Sequence, residues 1–136
     1  ILKKLYTTIV NLYYTNINKM NAVYDQAVKE GYHPSRGNKN GVEAVTYHEM
    51  GHALTDHVAK KMGAKDLDAA AKTIVDNAHK ATGGKGKTRQ SWANKISGYA
   101  KENYAECVAE AVADWYCNGS KAHANSKAIM AELKKY

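Results

Sequence analysis

Residues Lys4–Tyr14, KLYTTIVNLYY, decide the fold class of this 136-residue chain. Thr, Ile, Val and Tyr dominate the run, and such side chains favour an extended, pleated backbone. It therefore reads as a strand. Nearly all of the chain beyond it reads as helix, so this one stretch separates an α+β domain from an all-helical one. The expected class is α+β: a mainly helical domain with a small N-terminal sheet.

Asn18–Glu30 follows with Met20, Val23, Tyr24, Ala27 and Val28 at helical spacing, and Gly31 stops it. Tyr32–Asn40, YHPSRGNKN, is a loop, because Pro34 pushes His33 out of the helical region and Gly and Asn come next. A second helix is expected over Val42–Met62. A third covers Asp66–Ala81, with Asp66 as its cap and Leu67, Ala70, Ala71, Ile74 and Ala78 on one stripe. Thr82–Arg89, TGGKGKTR, is a connection. A fourth helix covers Asn103–Asn118, closed by Gly119, and a short basic one runs from Ala122 to Lys135. With no repeat and no linker, residues 1–136 read as one domain. The chain opens on Ile1 rather than Met, as expected of a mature form or a piece of something longer.

Twenty Lys and Arg against thirteen Asp and Glu give a formal charge of +7. The lysines are scattered over the wet faces of helices rather than gathered into a stripe, so a solvated surface is expected and a nucleic-acid footprint is not. No apolar run reaches membrane-spanning length and no signal-peptide pattern opens the chain. No membrane partner is expected, and localisation stays open, with a virion-associated or secreted place among those allowed. Cys107 and Cys117 are separated by roughly 15 Å of predicted helix, too far for a disulfide. Gly86-Lys87-Thr88 has the ending of a phosphate-binding loop. Its first glycine is missing, because residue 81 is Ala, and a helix precedes it where a strand is required.

The chemistry is concentrated in His48-Glu49-Met50-Gly51-His52. At about 100° per residue, His48 and His52 project about 40° apart, so both imidazoles can reach one ion from adjacent turns. Glu49 lies beside that ion without having to bind it, where a general base acting on a metal-activated water belongs. His57 points about 180° away from His48 and cannot be the third ligand. The extended motif with a third histidine would need Gly at Thr55 and His at Val58. The missing ligand must come from elsewhere. The fourth helix, NYAECVAEAVADWYCNG, is apolar nearly all round and so reads as buried, yet it carries Glu106 and Glu110 four apart. Either they form an acidic stripe facing water, or Glu106 binds the metal and Glu110 hydrogen-bonds a ligand histidine. Two His and one Glu would leave a fourth zinc position open, as in a catalytic site.

HEMGHALTD (residues 48–56) followed by SGYAKENYAECVAEAVAD (residues 97–114) resembles the catalytic domain of anthrax lethal factor and its relatives. These are zinc metallopeptidases of the HExxH-plus-Glu (gluzincin) class, and similar domains occur in phage and prophage minor head proteins. The resemblance covers about residues 41–118 and rests on two motifs. Tyr99 stands seven residues before Glu106, and Glu106–Ala111 supplies the pattern E-x-x-A-E-A. It implies a zincin-like metallopeptidase fold and one zinc ion held by His48, His52 and Glu106. It also implies Glu49 as general base, Tyr99 as oxyanion stabiliser and Glu110 in support. The implied activity is hydrolysis of a peptide or protein substrate, which the Tyr6–Tyr14 strand could hold by edge pairing. The alternative is a non-catalytic structural or interaction module of a phage or toxin-like assembly. The family's aromatics after the ligand Glu are replaced here by Cys107 and Val108.

Overall fold

The computed structural model describes residues 2–84 and 86–136, and among them every regular element is helical. α1 spans Leu2–Lys29, α2 Gly41–Met62, α3 Leu67–Ala81, α4 Arg89–Asn94, α5 Tyr104–Asn118 and α6 Ala124–Leu133. Single 3-10 turns occupy Tyr99–Lys101 and Gly119–Lys121. No helix among the described residues is long and apolar enough to cross a membrane.

The expected strand at Lys4–Tyr14 lies inside α1, which overturns the α+β class and its small N-terminal sheet. A lone strand would leave its backbone groups without a ladder partner, and no second strand exists among the described residues. In the helix each N–H finds a carbonyl four residues back. The threonines that favour a strand are accommodated there as well. Thr7, Thr8 and Thr15 donate their hydroxyls to the carbonyls of Lys3, Lys4 and Asn11 at 3.0, 3.0 and 2.8 Å. The sequence also carries the helical period, since Leu2, Leu5, Ile9 and Leu12 recur three and four apart. Period outweighs composition. With the strand goes the edge that was to pair with a substrate.

α2 begins at a capping box. The Asn40 side chain accepts the Glu43 N–H at 2.8 Å, and the Glu43 carboxylate accepts the Asn40 N–H at 3.3 Å. It ends at Gly63, whose φ of 66° is the left-handed cap that glycine adopts without strain. α3 starts on Asp66 as its spacing predicts, the carboxylate accepting the Ala69 N–H at 2.8 Å. α4 lies just beyond the expected connection and is capped by Thr88, which gives that threonine a structural role in place of a phosphate.

α5 is the central helix and packs against α2, α3 and α6. Val108, Ala111 and Val112 are fully buried in a core shared with Val58 of α2, Ile74 and Val75 of α3, Trp92 of α4 and Ile129 of α6. α2 and α5 approach at Gly51, where an added Cβ would stand 2.6 Å from the Ala109 Cα and 3.2 Å from the Val112 Cβ. Only a glycine on one side and an alanine on the other allow that contact, and it sets the separation across which the site is built. α1 joins through a smaller cluster in which Tyr24 packs with Ala44 and Cys117. Its Asn21 side chain accepts the Gly41 N–H at 2.6 Å.

Candidate metal centre

Gly51 lies between His48 and His52 on the face of α2 that meets α5, so the close approach brings both imidazoles against the start of that helix. Asn103 caps α5 by accepting the Glu106 N–H at 2.8 Å, which fixes Glu106 in the first turn. One Glu106 oxygen stands 2.9 Å from His48 Nε2, and the other stands 3.3 Å from His52 Nε2. The three residues offer donor atoms within 4.8 Å of one another, a cluster able to hold a metal ion.

The hydrogen-bond pattern around this cluster fits a cation. Glu106 Oε2 is buried and takes part in no hydrogen bond, although His48 Nε2 lies only 2.9 Å away. His48 Nδ1 lies 3.0 Å from Glu110 Oε2, and an ionised carboxylate only accepts, so the proton sits on Nδ1. In the neutral ring, Nε2 then presents a lone pair to the Glu106 oxygen. Two lone pairs at that distance need a cation or a proton between them. Without a cation, a proton fills the role. Burial opposes a charge on His48, but Glu110 and Glu106 outweigh it and hold the His48 pKa above its ordinary value.

Glu110 is 1% exposed, which excludes the acidic stripe facing water. Its carboxylate accepts from His33 Nδ1 at 2.6 Å, from Ser97 Oγ at 2.9 Å and from His48 Nδ1 at 3.0 Å. Burial alone would raise its pKa, but the donors of His33 and His48 outweigh that and hold it below the usual carboxylate value. Glu110 is thus hydrogen-bonded to His48, one of the two histidines of the cluster.

Two of these partners are not legible in the sequence as site residues. His33 reads as an ordinary loop histidine, yet its loop is docked against the segment before α5. The Gly98 N–H donates to the Gly31 carbonyl at 2.8 Å and the Tyr99 N–H to the Tyr32 carbonyl at 3.1 Å. Gly98 permits this, since a Cβ there would meet the Gly31 oxygen at 3.2 Å. Ser97 accepts the Ala100 N–H at 3.1 Å while donating to Glu110. Only tertiary docking brings these residues to Glu110, so no local spacing could have found them.

Tyr99 stacks on His48 with ring centroids 5.7 Å apart and meets His33 edge-on at 5.6 Å. Burial and the Glu106 carboxylate push its pKa up, so the phenol keeps its proton. A cavity of about 180 Å³ opens beside the cluster, lined by His48, Glu49, Tyr99, Glu110, His33 and Tyr24 among others. Glu49 is exposed at its edge. Other polar side chains of α2 and α6 serve the surface or the caps. His57 is exposed. Asp56 pairs with Lys60 at 2.9 Å, and His123 caps α6 by accepting the Asn125 N–H at 3.0 Å. Cys107 is buried in the core, and that burial pushes its thiol pKa up to about 12, the opposite of what a thiolate ligand needs. Compared with protein-family models, with curated proteins and with solved structures, the chain finds no significant match.

Proposed function

We propose that this chain is an all-helical zinc-dependent peptidase. The observation that carries the reading is that Glu49 and Tyr99 line the same cavity as His48, a member of the metal-binding cluster. A purely structural metal clasp would have no use for the Glu49 carboxylate or for a Tyr99 hydroxyl facing the cavity. Two imidazoles and one carboxylate suit zinc with a fourth position open, and zinc held there would polarise a carbonyl and acidify a water molecule.

The remaining work falls to side chains. Glu49 accepts a proton from the attacking water and returns it to the nitrogen released when the C–N bond breaks. Tyr99 stays protonated and donates a hydrogen bond to the carbonyl oxygen as it gains negative charge, an interaction made only near the transition state. Glu110 holds the His48 ring so that Nε2 faces the cluster. Tyr24, Ala44 and Val45 give the cavity an apolar wall that limits water around the reacting bond.

Elemental analysis of the purified protein beside Glu106→Ala tests the metal reading. About one zinc per wild-type chain is expected, with most of it lost from the variant. A wild-type protein that stays metal-free after zinc is added back overturns it. Zinc retained equally by both proteins means that Glu106 is not a ligand.

A further inference from the structure

We infer that His33 is a positioning residue of the metal centre, acting through Glu110 to set the orientation of His48. This rests on the metal-centre reading and extends it to a loop on the other side of the cavity. His48 Nε2 faces Glu106 only if the ring cannot rotate, and its Nδ1 is held by Glu110. A glutamate has three side-chain torsions and is a poor clamp unless its other oxygen is held as well. His33 Nδ1 holds that oxygen at 2.6 Å, the shortest of the three contacts to the carboxylate, and Ser97 supplies a second donor to the same atom.

His33 is itself fixed on several sides. Tyr24 of α1 stacks on its ring with an interplanar angle of 8°, while Tyr32 and Tyr99 meet the ring edge-on. The Tyr24 hydroxyl donates to the Pro34 carbonyl at 3.0 Å, and the backbone pairing of residues 31–32 with residues 98–99 closes the loop from the other side. The restraint therefore runs from α1 and its loop through His33 and Glu110 to His48. Neither His33 nor Glu110 belongs to the ligand cluster. The loop after α1 thus keeps the second carboxylate of α5 aimed at the first histidine of α2.

Asn and Gln substitutions separate this role from mere packing, because an Asn side-chain amide N–H sits near the place of the imidazole Nδ1 and a Gln amide near Nε2. Zinc affinity is measured by competition with a chromophoric chelator for wild type, His33→Ala, His33→Asn and His33→Gln, with thermal midpoints as a check on folding. About ten-fold weaker binding is expected for His33→Ala and His33→Gln, at the low end of what losing a ligand's supporting partner costs, with most of it recovered in His33→Asn. The same His33→Ala change made in Glu110→Ala should cost nothing further, since the route through the carboxylate is already gone. Equal affinities for the Asn and Gln variants, or a full effect of His33→Ala in the Glu110→Ala background, would overturn the inference. Wild type that binds no zinc fails the metal reading itself, a separate result. If His33→Ala does not fold, the comparison of Asn with Gln still decides.

Discussion

At the scale of single residues, the proposed function divides the site into groups that would hold an ion and groups that would act on a substrate, and the two sets make opposite predictions. Glu49 lies at the cavity edge, exposed and outside the cluster. Glu49→Gln keeps the size of the side chain and removes its basicity. It is expected to retain zinc and lose about a thousand-fold in kcat on a peptide substrate, within the usual range for a general base. Zinc retained with activity unchanged would remove Glu49 as the general base, whereas a wild type that holds zinc and cleaves no peptide would leave a metal clasp between two helices. Tyr99→Phe removes one donor to the developing oxyanion, and a loss of about a hundred-fold in kcat with unchanged zinc content is expected. A change in KM alone would instead assign Tyr99 to substrate binding. The cluster residues and the carboxylate behind them are legible in the sequence because a helix repeat fixes their relative directions: His48 with His52, and Glu106 with Glu110. The direction of His33 is fixed by a loop packed on another loop, which no repeat encodes.

At the scale of elements, the site depends on how closely α2 and α5 approach. A Cβ on Gly51 would meet the backbone of Ala109 at 2.6 Å, and backbone cannot rotate aside as a flexible side chain can. Gly51→Ala gains about 1 kcal/mol of helix propensity, while forcing the helices apart typically costs about 1–3 kcal/mol. A net loss of stability is therefore expected, read as a lower thermal midpoint, together with weaker zinc binding as Glu106 retreats from the histidines. A raised midpoint would show that the contact is looser than described. The capping box at Asn40 and Glu43 offers a comparison remote from the metal, where Asn40→Ala should cost about 1 kcal/mol and leave zinc affinity unchanged. Elements are legible where a cap and a period agree, as at Asp66 and across α5. α1 departs from its composition because Thr, Val, Ile and Tyr suit a strand only when a partner strand exists. Single-sequence composition does not supply that partner, whereas the spacing of Leu2, Leu5, Ile9 and Leu12 is the better guide.

At the scale of the whole molecule, the cluster ties α2 to α5 and Glu110 ties both to the loop after α1, so a metal held there would compete with a proton for the same joint. In the metal-free protein, the folded His48 pKa is raised above its ordinary value of 6.5. Its contribution to stability is then fully present below about pH 6.5 and is lost as pH rises through the folded value. Glu110 has the opposite sign: its folded pKa is depressed, so its contribution is present above its ordinary value of 4.5 and is lost as pH falls through the folded one. Zinc needs neutral imidazoles, so it binds better as pH rises, over the range in which the metal-free joint weakens. The zinc-induced rise in thermal midpoint should therefore be small at pH 5.5 and larger at pH 7.5. At a free zinc concentration of 100 times Kd, the stabilisation is about 2.7 kcal/mol. Melting curves with zinc and with a chelator at the two pH values measure the difference directly. A zinc effect that is equal at both, or larger at pH 5.5, would mean that the stabilising ion does not displace a proton from His48.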